Sequence, residues 1–339
     1  MNRMTRERLC EILDKMPACR VGIIGDLCLD AYWHADMTKS ELSRETPFFP
    51  IPVTEERYSA GSAGNVACNL HALLTHSPKV LGVIGDDWRG DMLRRVFRRQ
   101  GIETDAIVAS ETIMTNAYIK PIRHGFGACV VESERIDFVN CSVIGGVDEE
   151  KLLAELAAIE GKVDVLCVSD QMEFGCITPR VREAICAMGA RGMRIIVDSR
   201  DRIHLYSNVI LKPNELEGAR ALNGVLPKEG QSREELAEIA RALAVKTNCR
   251  VLMTMGGSGS VFTDGNDLTF CNPFRVGREL DICGAGDTFM SGMACALAAG
   301  AEPGEAMQIA NLASSITIQK IGITGTATKA EMLAAWDMQ

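Results

Sequence analysis

Late in the 339-residue chain, the run Asp281-Ile-Cys-Gly284-Ala285-Gly286-Asp287 sets a carboxylate directly after a glycine-rich turn and ahead of small residues that continue to Gly300. A turn of this kind opening a helix directs backbone N–H groups and the positive end of the helix dipole outwards together, which suits a phosphate or a developing negative charge. An anion hole is the natural use of such a turn. A carboxylate there would repel a resting anion, but it makes sense as a general base beside a phosphoryl group in transfer. Taken alone, the pattern fits an ordinary first-turn helix acid equally well, so the choice between the two falls to the rest of the chain.

Short apolar runs recur with helical stretches between them: Val21–Gly25, Val80–Ile84, Val163–Val168, Ile195–Val197, Val209–Leu211 and Val251–Thr254. Runs this apolar suit strands covered on both faces, the mark of a parallel sheet. Segments such as Glu149–Glu160 and Arg233–Thr247 supply the covering helices. The expected fold is a three-layer α/β/α sandwich with a mainly parallel central sheet. Two segments break the rhythm, about 31–60 and about 112–140. They read as a small β-sheet lid inserted into a single domain spanning 1–339. The run Gly25-Asp26-Leu-Cys-Leu-Asp30 closes the first strand, and carboxylates at that end of a parallel strand are placed to hydrogen-bond sugar hydroxyls, although Asp26 serves equally as a cap.

Bulk properties exclude several classes. A net charge of −9 disfavours a nucleic-acid partner, which needs a basic face. The one basic run, Arg94-Arg95-Val-Phe-Arg98-Arg99, reads as a solvated helix face beside Met92, Leu93, Val96 and Phe97. The thirteen cysteines include no Cys-x-x-Cys pair, so they read as reduced core residues rather than a zinc site or disulfide frame. The first ten residues mix acid and base without the apolar stretch of a secretion signal, and no run is long enough to span a membrane, so a cytoplasmic protein is expected. Neither Gly-x-x-x-x-Gly-Lys-Ser/Thr nor His-Arg-Asp occurs, which excludes P-loop and protein-kinase chemistry.

Three further runs complete a set. Lys212-Pro-Asn214-Glu-Leu-Glu217 follows a strand and by itself is a strand-to-helix turn. Thr254-Met-Gly256-Gly-Ser-Gly259 leads into another strand, which excludes a dinucleotide fingerprint and by itself describes a hairpin. The third is Ala60-Gly61-Ser-Ala-Gly64-Asn65. With Asp281–Asp287 these runs resemble, in family order and over nearly the whole chain, the ribokinase-like, phosphofructokinase-B type of sugar and nucleoside kinases. The resemblance implies an ATP-dependent kinase with Asp287 as base and Gly284, Ala285 and Gly286 as anion hole. It places Mg²⁺ and nucleotide phosphates on Asn214 and Glu217, the nucleotide on Thr254, Gly256, Gly259 and Asn311, and the substrate on Asp30, Gly61 and Asn65. One of the family's usual paired glycines is replaced here, by Ala60 or Ser62. Asp281, Gly322 and Thr326 fall where members bind a monovalent cation, which implies K⁺.

Within the family, the lid runs Leu42-Ser-Arg44-Glu45-Thr-Pro47-Phe-Phe-Pro-Ile51 and Arg135-Ile-Asp137-Phe138, with Asp30-Ala-Tyr-Trp33, resemble D-glycero-D-manno-heptose 7-phosphate kinases. Where those kinases have a lysine after Ser-Asp-Tyr, this chain has Ser169-Asp170-Gln-Met-Glu173, so a sugar phosphate would need Arg44, Arg135 or Arg200. The sequence ends at Gln339 without a nucleotidyltransferase segment, so the one-domain form is expected. A nucleoside kinase of the same fold, or a sensor without catalysis, are the alternatives, and exposed lid edges imply a homodimer through the lid.

Overall fold

The apolar runs become strands because alternate side chains find cover on opposite sides. Val165 and Cys167 enter one apolar layer with Leu70, Phe97, Met293 and Leu312, whereas Leu166 and Val168 enter another with Leu152, Ile185 and Leu243. Such two-sided burial holds each strand between helical layers. The computed structural model describes every residue except 1, 2, 225, 228, 229, 278, 323 and 339. In chain order its elements are α1 (Arg6–Lys15), β1 (Val21–Gly25), β2 (Leu27–Asp36), β3 (Val53–Ser62), α2 (Ala63–Leu73), β4 (Lys79–Gly85), α3 (Trp88–Gln100), β5 (Ile107–Ser110), β6 (Asn116–His124), β7 (Val130–Glu132), β8 (Ile136–Phe138) and α4 (Gly146–Ile159). They continue with β9 (Val165–Asp170), α5 (Pro179–Ala190), β10 (Ile195–Ser199), β11 (Ile210–Leu211), α6 (Glu215–Asn223), α7 (Arg233–Thr247), β12 (Arg250–Thr254), β13 (Ser260–Thr263), β14 (Leu268–Cys271), α8 (Ala285–Ala298), α9 (Pro303–Thr317) and α10 (Lys329–Asp337).

Among the described residues the large sheet runs β14-β13-β12-β11-β10-β9-β1-β4-β5. It is parallel from β12 to β5, with β13 and β14 added antiparallel at one edge. The expected α/β sandwich is the fold observed. From β1 the chain proceeds to β4 and β5 on one side, and from β9 to β10 and β11 on the other. The crevice beyond the carboxyl ends of β1 and β9 is therefore a topological switch point, where ligands settle in open sheets.

The second sheet has the order β3-β2-β6-β7, with β8 also paired to β6. Its strands cover 27–62 and 116–138, starting earlier than the expected lid segment. Asp30 accordingly lies inside strand β2 rather than in a turn ending β1. The reason is alternation: Leu27, Leu29 and Ala31 are buried, which makes the run a strand with Asp30 on its other face. Only Asp26 separates β1 from β2, and rather than capping a helix it ties down the loop that follows β9. Its Oδ2 accepts from the N–H groups of Gln171 (2.8 Å) and Met172 (2.7 Å), and its Oδ1 from Cys176 (2.8 Å). Burial, with Asp170 adding, raises Asp26 to about 6 against these three bonds. The basic run lies on α3, whose Leu93, Val96 and Phe97 are buried; Arg95, Arg98 and Arg99 form the expected exposed face, whereas Arg94 is half-buried and donates to the carbonyls of Thr104 (2.8 Å) and Ile107 (2.7 Å). All thirteen cysteines are free.

Candidate active site

The glycine-rich turn does open a helix. Gly284 is the N-cap of α8 at φ +78°, and a β-carbon there would lie 2.6 Å from Nδ2 of Asn65, so conformation and space both call for glycine. Thr288 N–H closes the first helical bond to the Gly284 carbonyl at 3.0 Å, and Ala285 N–H is turned to the Ile282 carbonyl at 3.2 Å. The amides of Gly286 and Asp287 are left for an anion, while that of Ala285 is already engaged, which weakens its expected share in the anion hole.

Asp287 projects from this first turn into the crevice. Burial raises it from the ordinary 3.8 to about 7, with Asp198 and Asp30 adding to the rise and Asn65 and Lys212 opposing it. A carboxylate poised there accepts a proton near neutral pH far better than an ordinary aspartate. Asn65, expected at the substrate, instead donates from Nδ2 to Asp287 Oδ2 at 2.7 Å. Asp30 enters the same crevice from β2, and burial raises it to about 6 against Lys120 and Arg135. Gly61 makes that possible, because a β-carbon there would stand 2.8 Å from Asp30 Oδ2 and 2.6 Å from Cys28 Sγ.

On the other side of Asp287 lies a pair that sequence reasoning missed. Lys212 is buried and its ammonium is 2.7 Å from Asp198 Oδ2. Burial disfavours that charge, yet Asp198, Glu217 and Asp287 together raise Lys212 above its ordinary value. A lysine directly after an apolar strand was the available signal, since such a lysine reaches the carboxyl end of the sheet. Asn214 and Glu217 form a capping box on α6: Asn214 Oδ1 accepts from Glu217 N–H at 2.8 Å and Glu217 Oε2 accepts from Asn214 N–H at 2.9 Å. Burial, with Asp198 adding, pushes Glu217 up, and Lys212 pulls it down. Asn214 bridges to Thr254, so two of the expected nucleotide runs are neighbours. Gly256–Ser258 is a short 3-10 turn and Met255 N–H closes to Gly259 O at 2.8 Å, which makes this run a hairpin as well. Asn311 on α9 donates to Ser260 Oγ at 2.9 Å, just past that hairpin.

The pfkB family carbohydrate kinase model matches residues 51–330. The chain belongs to the pfkB family. That family is one of carbohydrate kinases. It is 32% identical over 336 residues to a protein named bifunctional protein HldE from Geotalea uraniireducens, covering 98% of this chain and 66% of that one. It is 33% identical over 332 residues to the protein of the same name from Caulobacter sp. strain K31, covering 95% and 64%. The chain thus spans a little under two thirds of the length of these relatives. Among solved structures it resembles Arabidopsis thaliana ribokinase complexed with ribose and ATP (TM-score 0.67, 19% identity, 94% and 98% covered). It also resembles Escherichia coli phosphofructokinase-2 in complex with fructose-6-phosphate (TM-score 0.69, 17% identity, 94% and 99% covered). At these identities the structures speak to fold.

Not every expected residue gathers in the crevice of this pfkB kinase. Arg44 is exposed in the stretch ahead of β3. Arg135 is paired with Asp137 at 2.6 Å and lies over the Tyr118 ring, 4.6 Å from its centre, close enough to pull on Asp30. Lys120, on β6 and unremarked in the sequence, also acts on Asp30 and lies 5.2 Å from the Tyr32 ring centre. Asp170 is buried and bound by Arg202, Ser199 and Tyr206, so it is structural, and Glu173 is exposed.

The residues named for K⁺ do not fit one as arranged. Asp281 Oδ1 and Oδ2 each accept at 3.0 Å, from Cys283 N–H and Gly322 N–H. The Gly322 carbonyl accepts from Arg57 at 2.9 Å, and the Thr326 carbonyl accepts from Lys320 at 2.6 Å. Two protein cations already sit on the two carbonyls.

Proposed function

We propose that this chain transfers the γ-phosphoryl group of Mg·ATP to a hydroxyl of a sugar or sugar phosphate, with a heptose 7-phosphate as the first acceptor to test. The observation that carries the reading is the position of Asp287, raised to about 7 at the mouth of a glycine-opened helix, with buried Lys212 beside it. Asp287 takes the acceptor's proton. The amides of Gly286 and Asp287 offset the charge that develops on the phosphoryl oxygens. Asp30, with Lys120 and Arg135 near it, faces the acceptor, and these two cations are suited to a phosphate carried by the sugar.

The nucleotide extends along Thr254, Gly256 and Gly259 towards Asn311, and Lys212 meets its phosphates. Among the described residues no group of three or more His, Cys, Asp or Glu is arranged to hold a metal. Buried Asp198 and half-buried Glu217 fit Mg²⁺ held through water, with Asn214 assisting, since Mg²⁺ is commonly bound by one or two carboxylates and the substrate phosphates. When bound, the ion neutralises phosphate charge. No step is assigned to K⁺.

The lid exposes Phe48, Phe49, Phe126, Val130 and Ile136, which supports a homodimer formed through it. No described helix is long and apolar enough to cross a membrane, and a cytoplasmic location is part of the proposal. ADP release with Mg·ATP against heptose 7-phosphates, hexoses, pentoses and nucleosides tests the reading. Turnover on one sugar that collapses in Asp287→Asn supports it. Nucleoside-only turnover replaces it with the nucleoside-kinase reading, and bound ATP with no turnover favours a sensor.

A further inference from the structure

Given Asp287 as the general base proposed above, we infer that Asn69 and Thr288 are positioning residues: they lock the Asn65 amide so that Asp287 Oδ1 is the oxygen that takes the acceptor's proton. The chain of donors starts from a backbone carbonyl, which only accepts, and that removes the usual doubt over which end of an amide is which. The Asn65 carbonyl lies 3.0 Å from Asn69 Nδ2, so that atom is the amide nitrogen. The other end of the amide, Asn69 Oδ1, accepts from the Thr288 hydroxyl at 3.0 Å. The second N–H of Asn69 reaches Asn65 Oδ1 at 3.3 Å. That end of Asn65 is therefore oxygen, and its Nδ2 has to face Asp287 Oδ2 at 2.7 Å.

Asn65, Asn69 and Thr288 are 3%, 2% and 2% exposed, so water does not compete for these bonds. The same contact between α2 and α8 carries a second tie, in which Ser291 Oγ reaches the carbonyls of Val66 (3.2 Å) and Asp287 (2.8 Å). The relay thus spans two helices held in fixed register.

The chemical consequence concerns a single proton. An oxygen that already accepts from Asn65 cannot also carry hydrogen there without setting two donors against each other, so Oδ2 stays bare. In the transfer, the acceptor O–H bond breaks and its proton bonds to Oδ1. The acceptor oxygen forms its bond to the γ-phosphorus, and the bond from that phosphorus to the bridging oxygen breaks, its electron pair leaving with ADP. The relay also favours the ionised carboxylate. It works against burial and against Asp198 on β10 and Asp30 on β2, and alongside Lys212 after β11, while the neighbouring thiols of Cys28 on β2 and Cys283 ahead of α8, both raised above their ordinary value, stay protonated and uncharged.

The test is a ¹³C-carboxyl NMR titration of the free enzyme, with the Asp287 signal assigned by its loss in Asp287→Asn. It is paired with kcat–pH profiles on D-glycero-D-manno-heptose 7-phosphate. In Asn65→Ala the Asp287 titration and the acid limb of the profile both move up by about one pH unit, so turnover at pH 6 falls about tenfold while the alkaline plateau falls far less. Asn69→Leu and the milder Thr288→Val move both in the same direction by a smaller amount. A uniform loss at every pH, with the Asp287 titration unmoved in all three variants, overturns the relay. Undiminished turnover in Asp287→Asn sinks the base assignment, and the relay with it, whereas an inactive Asp287→Asn with unmoved titrations sinks the relay alone.

Discussion

Replacing Asp287 with asparagine should cost activity and return stability, and the second effect has a sign that depends on pH. The wild-type carboxyl is raised from 3.8 to about 7, burial being the largest cause. Below the unfolded value the group is neutral in both states and contributes nothing. As pH rises from about 4 to 7 the unfolded chain releases the proton while the folded chain keeps it, so the folded state loses ground, and above about 7 the loss is complete and constant. Three powers of ten in proton affinity set an upper bound of about 4 kcal/mol. The crevice leaves one side of the carboxylate to water, which reduces the figure to about 1–2 kcal/mol. The introduced asparagine would keep an oxygen for Asn65 Nδ2, so the geometry survives. Thermal unfolding followed by circular dichroism should therefore show Asp287→Asn about 2–4 °C above wild type at pH 8 and nearly level with it near pH 4. Turnover at pH 8 falls by a factor of ~10² to 10⁴, the usual contribution of a general base. A variant that is less stable at pH 8, or stabilised equally at both pH values, would refute the electrostatic account of the site.

Gly284→Ala should drive a β-carbon into Asn65 and force an unfavourable φ, lowering kcat about 10- to 100-fold with little change in KM, as steady-state kinetics would show. Lys212→Met removes the cation that opposes burial of Asp198, Glu217 and Asp287. The KM for ATP should rise at least tenfold and the acid limb move upward, and an unchanged KM would remove Lys212 from the nucleotide site. Exchanging K⁺ for Na⁺ at constant ionic strength should alter the rate less than about twofold, because Arg57 and Lys320 occupy the carbonyls in question. Light scattering after chromatography should give a dimer that Phe48→Ser with Phe126→Ser converts to monomer without loss of helical signal.

What was legible in the sequence was local. Helix α7 spans Arg233–Thr247 as expected, because Ser232 and Glu235 cap it and Asn248 ends it in a left-handed turn. The glycine turn at Gly284 and the acid at Asp287 are three residues apart, so their joint meaning survives without a fold. The illegible parts are contacts across the fold. Asn65 and Asp287 are 222 positions apart, and nothing local says that the first holds the second. Lys212 meets Asp198 because β10 and β11 pair in parallel with Val197 opposite Leu211, a register no single segment specifies. Strand β2 was hidden for another reason. Its polar residues Asp30, His34 and Asp36, on the face opposite Leu27, Leu29 and Ala31, broke the apolar run that its inward residues form.

The single residue between β1 and β2 makes the small sheet a lever whose fulcrum is next to the chemistry. Asp26 is clamped by three backbone amides, so any swing of that sheet as a rigid blade turns about this point. Along a strand Asp30 stands about 13 Å from the fulcrum and Asp36 about 33 Å, so a swing of about 15° carries the far end about 9 Å and Asp30 only about 3 Å. The acceptor-facing aspartate rides the short arm, and the exposed phenylalanines ride the long one. Small adjustments at the sugar are thereby tied to large displacements at the apolar rim, and whatever packs against that rim acquires mechanical advantage over the crevice.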